Sequence, residues 1–158
     1  MSTMPNCLIT SDLIESQKVE GSHPWNKNSL FKSTQLSRAL GMARSIVVHV
    51  TLPPGKESFV PHTHEREEEW IYILSGSGTA DIDGSAVPVG SGDFMGFTTP
   101  SVVHHLRNTG STDLCYLMGG ECQFAEASNF PTLNRRKIRH GDEVHVFDLD
   151  GNSASIET

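Results

Sequence analysis

Trp70-Ile71-Tyr72-Ile73-Leu74-Ser75-Gly76-Ser77-Gly78-Thr79-Ala80-Asp81-Ile82-Asp83-Gly84 is the stretch on which the fold turns. Its first five residues are aromatic, β-branched or aliphatic and stop at a Ser/Gly cluster, the pattern of a strand ended by a turn. Residues 79–83 then alternate, and Asp83-Gly84 is the pair favoured in a two-residue hairpin turn. Working outward, residues 86–89 return as a partner strand and Gly90-Ser91-Gly92-Asp93 turns again. Upstream, Ser45-Ile46-Val47-Val48-His49-Val50-Thr51 is rich in β-branched residues and stops at Pro53-Pro54-Gly55. Downstream, residues 94–97, 102–106 and 114–118 repeat the theme, with Asn108-Thr109-Gly110-Ser111 as a further turn. Short strands with turn signals every 8–12 residues or so predict an all-β sandwich or barrel.

The flanks read differently. Residues 1–40 are expected to form an N-terminal extension that supplies an edge strand, long enough to cover a bare sheet edge. Within it, residues 12–15 read as a short strand or turn, and residues 33–40 as strand or one helical turn. Residues 41–150 are expected to form the barrel, with 144–149 as its last strand, and 151–158 a flexible tail. Asn134-Arg135-Arg136-Lys137-Ile138-Arg139-His140 concentrates positive charge in an acidic chain and reads as a solvated segment rather than a phosphate site.

The chain has 158 residues, 36% hydrophobic and 20% charged, which suits one domain with a full core. Its net charge of −7 argues against nucleic acid and anionic membrane surfaces as partners. No apolar run approaches the roughly 20 residues of a membrane span. Residues 1–10 lack the basic-then-apolar pattern of a secretory leader. Cys7, Cys115 and Cys122 are an odd and irregular set, poor as a disulfide framework, so a reducing, cytoplasmic setting is expected.

The histidines carry the chemistry. His62-Thr63-His64 has i, i+2 spacing, which on an extended strand puts both imidazoles on one face. Two neutral imidazoles side by side can hold a first-row divalent metal. Glu65-Arg66-Glu67-Glu68-Glu69 follows, and Glu69 shares a strand face with Ile71 and Ile73. An inward carboxylate there needs a cation, hydrogen-bond donors or a proton. Glu68 and then Glu67 are the alternatives. His104-His105 lies about forty residues on, and strand alternation lets only one of that pair face inward without saying which. Three imidazoles and one carboxylate would make a four-ligand site.

These residues resemble a known pair of motifs. Gly55, then Pro61-His62-Thr63-His64, four residues, Glu69, six residues and Gly76 is similar to the first motif of the cupin superfamily. Gly92-Asp93-Phe94 through His104-His105-Leu106-Arg107-Asn108 resembles the second, with departures at Gly92, at Thr99 where proline is usual, and at Ser101 where glycine is usual. The resemblance covers residues 47–120. It implies a small antiparallel jelly-roll β-barrel, open at one end. It selects His62, His64, Glu69 and His104 as ligands of a divalent transition metal, be it Mn, Fe, Co, Ni, Cu or Zn. It also implies a homodimer.

Such a site suits a metal-dependent enzyme acting on a small oxygen-rich molecule, with sugar-phosphate-isomerase-like chemistry through an enediol or enolate. Tyr72, His49 and His105 are the candidate acids and bases. An Fe- or Mn-dependent dioxygenase is an alternative, with Ile71, Ile73, Phe94, Met95 and Phe97 as walls of an apolar cavity. A non-catalytic ligand-binding or sensing barrel is the other.

Overall fold

The computed structural model describes residues 7–149 and the strand Ala154–Ile156. In chain order the elements are α1 (Ser11–Ser16), β1 (Val19–His23), β2 (Asn26–Gln35), α2 (Leu36–Ala39), β3 (Ser45–Leu52), β4 (Thr63–His64) and β5 (Glu69–Ser75). They continue with β6 (Ser77–Ile82), β7 (Ser85–Gly90), β8 (Phe94–Phe97), β9 (His104–Arg107) and β10 (Leu114–Glu121). The last are β11 (Ala125–Phe130), β12 (Arg135–His140), β13 (Glu143–Asp148) and β14 (Ala154–Ile156). The fold is the expected all-β jelly-roll barrel.

Three antiparallel sheets form it. The largest runs β1-β2-β3-β10-β5-β8, the second β14-β13-β12-β11-β4, and the third β7-β6-β9. The β6–β7 hairpin is the one read from the sequence. Asp83 and Gly84 form its tip with φ of 49° and 80°, a left-handed pair that glycine makes cheap. Alternation supplies the core: Val48, Val50 and Leu52 of β3, Ile71 and Ile73 of β5, and Leu114 and Tyr116 of β10 face Ala80 and Leu106 across the barrel.

Several expectations change. Residues 12–15 lie in a short helix, whose N-cap Thr10 accepts from the Leu13 N–H through Oγ1 at 3.4 Å. Residues 33–40 are both readings in succession, the end of β2 and then α2. β1 and β2 continue the sheet of β3 within the same chain, with β1 at its edge. The basic stretch 134–140, read as solvated, is half-buried over residues 135–139. It is β12, with Arg136 and Arg139 paired to Glu65 and Glu67. Of the expected tail, 154–156 pairs with β13, and the remainder lies outside the described residues.

Candidate metal centre

The site is assembled from three strands. His62 and His104 form an isolated antiparallel bridge, each backbone N–H donating to the other's carbonyl at 3.2 and 3.0 Å. His64 lies in β4, and Glu69 opens β5. One donor atom from each of His62, His64, Glu69 and His104 lies within 4.8 Å of all the others. Glu69 Oε2 is 3.0 Å from His64 Nε2 and 3.9 Å from His62 Nε2, and Glu69 Oε1 is 3.8 Å from His104 Nε2. The structure thus brings together the four residues that the resemblance selected.

The far ring nitrogens are all held. Nδ1–H of His62 donates to the Val60 carbonyl at 2.8 Å and that of His104 to the Val102 carbonyl at 3.0 Å. His64 Nδ1 sits 3.3 Å from a Glu126 carboxylate oxygen. Carbonyl oxygens only accept, so in His62 and His104 Nδ1 carries the proton and Nε2 presents its lone pair, while His64 lies between two carboxylates. Nε2 of His64 and of His104 are buried without a hydrogen-bond partner. Orphaned imidazole lone pairs beside a buried carboxylate are what a divalent ion satisfies, so the donor set fits one.

Electrostatics agree. Burial would raise the Glu69 pKa, but the imidazoles of His104, His62 and His64 outweigh it and hold the carboxyl well below its usual range. Burial depresses the His62 pKa. His64 suffers burial too, yet Glu69 and Glu126 outweigh it and raise its pKa.

Two supports escaped the sequence reading. Glu126, 5% exposed, accepts from the backbone N–H of Glu65 at 2.9 Å and of Arg66 at 3.0 Å, besides anchoring His64. Ser101 stands at a departure from the family motif. Its Oγ accepts from the His64 N–H at 2.7 Å, and its own N–H donates to the His64 carbonyl at 2.7 Å. Neither role has a spacing signal, because each depends on which distant strand pairs with β4.

The acid–base candidates fall elsewhere. Tyr72, 40% exposed, lies on the face of β5 opposite Glu69. His49 lies on the face of β3 opposite Val48 and Val50. Both therefore point away from the cluster, by the alternation that sends Glu69 inward. His105 is buried, and alternation turns it from the cluster to sit 3.5 Å from Asp81 and 3.6 Å from Glu57. Asp81 is held in turn by a two-pronged pair with Arg107 at 2.6 and 2.9 Å. Ile71, Ile73, Met95 and Phe97 are packed core, and the void that Ile71, Met95 and Phe97 border holds ≈ 20 Å³. Phe94 is 64% exposed on the outer face, so these five residues do not together wall the apolar cavity expected for a dioxygenase.

Beside the cluster opens a cleft of ≈ 190 Å³. His62, His64 and Glu69 line it, with Phe59, Met118 and Phe130 as apolar walls. The exposed Glu68 and Glu121 lie on its rim side, and Glu67, His23, Ser128 and Lys137 also line it.

A family model described as a cupin domain matches residues 48–119. An oxalate-binding protein of Thermotoga maritima is 35% identical over 100 residues, covering 63% of this chain and 73% of that protein. Among solved structures, a candidate sugar phosphate isomerase from Acidithiobacillus ferrooxidans superposes with a TM-score of 0.89 at 27% identity, covering 96% of this chain and 98% of its own. A predicted oxalate decarboxylase from Thermotoga maritima superposes with a TM-score of 0.61 at 27% identity, covering 73% of this chain and 99% of that one.

Proposed function

The chain belongs to the cupin family, and from that premise we propose that it is a metal-dependent enzyme acting on a small oxygen-rich molecule by isomerase-like proton transfer. The observation that carries this reading is the convergence of three imidazole nitrogens and one ionised carboxylate on a common point beside a small cleft. The likeness to a candidate sugar phosphate isomerase over nearly the whole of both chains supports it. A bound divalent ion would act as a Lewis acid on a ligand oxygen. The protein's own groups do the rest. The Nδ1–H anchors of His62 and His104 fix the direction of the rings, and Phe59, Phe130 and Met118 keep water from one side of the cleft. Glu67 is tied to Arg139 and to the Gln123 N–H, which leaves Glu68 as the candidate cleft base.

The test has two steps. Elemental analysis of freshly purified protein should find one equivalent of a transition metal, absent from a His62→Ala variant. Metal-loaded protein should then wash solvent deuterium into an aldose or ketose phosphate. Metal without exchange on any of these substrates removes the isomerase reading.

A second reading has its own support. The 35% identity to an oxalate-binding protein favours a barrel that holds a small dicarboxylate without turning it over. Oxalate would then raise the melting temperature of the metal-loaded protein and be recovered unchanged.

We further propose a homodimer in a reducing compartment. Tyr72 and Phe94 face each other across β5 and β8 on the outer surface, with the Trp70 and Phe94 rings 6.3 Å apart. An outward apolar patch of that kind suits a partner surface. All three cysteines are unpaired.

A further inference from the structure

We propose that Lys137 and His23 form an anion-recognition edge on the wall of the cleft, so that the site takes a small dianion. One oxygen function of that ligand meets the histidine–glutamate cluster, and the second anionic group, a carboxylate or a phosphate, meets Lys137 and His23. The inference rests on the metal-centre reading above and names the substrate class for it.

The register places Lys137. Ser128 of β11 is the direct partner of His64 on one side and of Lys137 on the other. Directly opposed residues in neighbouring antiparallel strands project to the same face. His64, Ser128 and Lys137 therefore form one row across β4, β11 and β12, about 10 Å from end to end at the backbone, and all three line the cleft. Phe130 is the common neighbour of the parts. Its ring centroid is 6.2 Å from that of His62, 6.0 Å from that of His23 and 5.9 Å from the Lys137 ammonium nitrogen.

His23 contributes a donor. Its Nδ1 accepts from the Trp25 N–H at 3.3 Å, so in the neutral ring Nε2 carries the proton. Burial, then the charges of Lys137 and His62, lower its pKa to about 4, so the ring is neutral near pH 7 and gives a hydrogen bond rather than a second positive charge. Lys137 is the one lysine or arginine among the described residues lining the cleft. Glu68 and Glu121, on the rim side, repel an anion from that direction, and Glu67 is neutralised by Arg139. A ligand with an oxygen function at one end and an anionic group at the other is thus turned to lay the first on the cluster and the second toward Lys137. The ≈ 190 Å³ of space restricts it to a few carbons.

The experiment is calorimetric titration of manganese-loaded protein with two matched pairs: malonate against monomethyl malonate, and glycolaldehyde phosphate against glycolaldehyde. A charge-assisted contact should make the dianion, or the phosphate-bearing member, bind about tenfold or more tightly in at least one pair. The pair that shows it identifies carboxylate or phosphate as the second group. Lys137→Met should cut the preference to less than about threefold, while Lys137→Arg retains most of it. Manganese content is measured for every protein. One equivalent throughout with an undiminished preference in Lys137→Met, or no preference in the wild-type protein, overturns this inference alone. No manganese in the wild-type protein overturns it together with the metal-centre reading.

Discussion

Single residues in this protein act through the partners they hold. Glu126 is the clearest case, because its carboxylate holds the His64 ring and two backbone N–H groups at once. Replacing it by Gln should leave the fold intact and weaken metal affinity by roughly 10- to 100-fold, read by chelator competition. His23 gives a pH dependence whose sign is fixed. Its pKa is 6.5 as an isolated group and about 4 in the folded chain, so between those values the unfolded chain binds a proton that the folded chain refuses. Its contribution is intact above about pH 6.5 and is lost progressively toward pH 4. The urea midpoint of the wild-type protein should fall more steeply over that window than that of His23→Gln, and equal slopes would refute the assignment. The four candidate ligands were legible in the sequence because i, i+2 spacing and the flanking motif residues are local. Tyr72 and His49 were misplaced although the same two-residue period that sends Glu69 inward sends Tyr72 out. The roles of Glu126 and Ser101 were not legible, since each gains its role from a partner far away in the chain.

At the scale of elements, legibility followed hydrophobicity. β3, β5, β6, β7, β8 and β10 pack one face on the core and show it as runs or alternation. β1, β2, β11 and β12 carry serines, asparagines, lysines and arginines, and their existence depends on the strands beside them rather than on their own pattern. The turn after β9 shows how a polar residue can fix such a join. Asn108, 1% exposed, donates from Nδ2 to the Leu52 and Thr112 carbonyls at 2.7 and 2.8 Å and accepts from the Gly110 N–H at 3.0 Å. Asn108→Ala would remove the partner of three backbone groups, of which the Leu52 carbonyl is buried and the other two are half-buried. The expected cost is about 2–4 kcal/mol, seen as a lower urea midpoint with little change in slope.

For the whole molecule, the proposed homodimer makes a direct prediction. Light scattering at micromolar concentration should give twice the chain mass, and Phe94→Lys, which places charge on the outer apolar patch, should shift it toward one chain mass while the metal content stays at one equivalent. A monomeric wild-type mass would contradict the proposal.

The hairpin tip at Asp83 and Gly84 lies between the two groups of donors in the chain, with His62, His64 and Glu69 on one side and His104 on the other. Severing the backbone there would leave two fragments, neither holding a complete coordination set. Either piece alone would be a poor chelator, and only their reassembly would restore the full set, so a split version of this barrel would work as an ion-gated reporter.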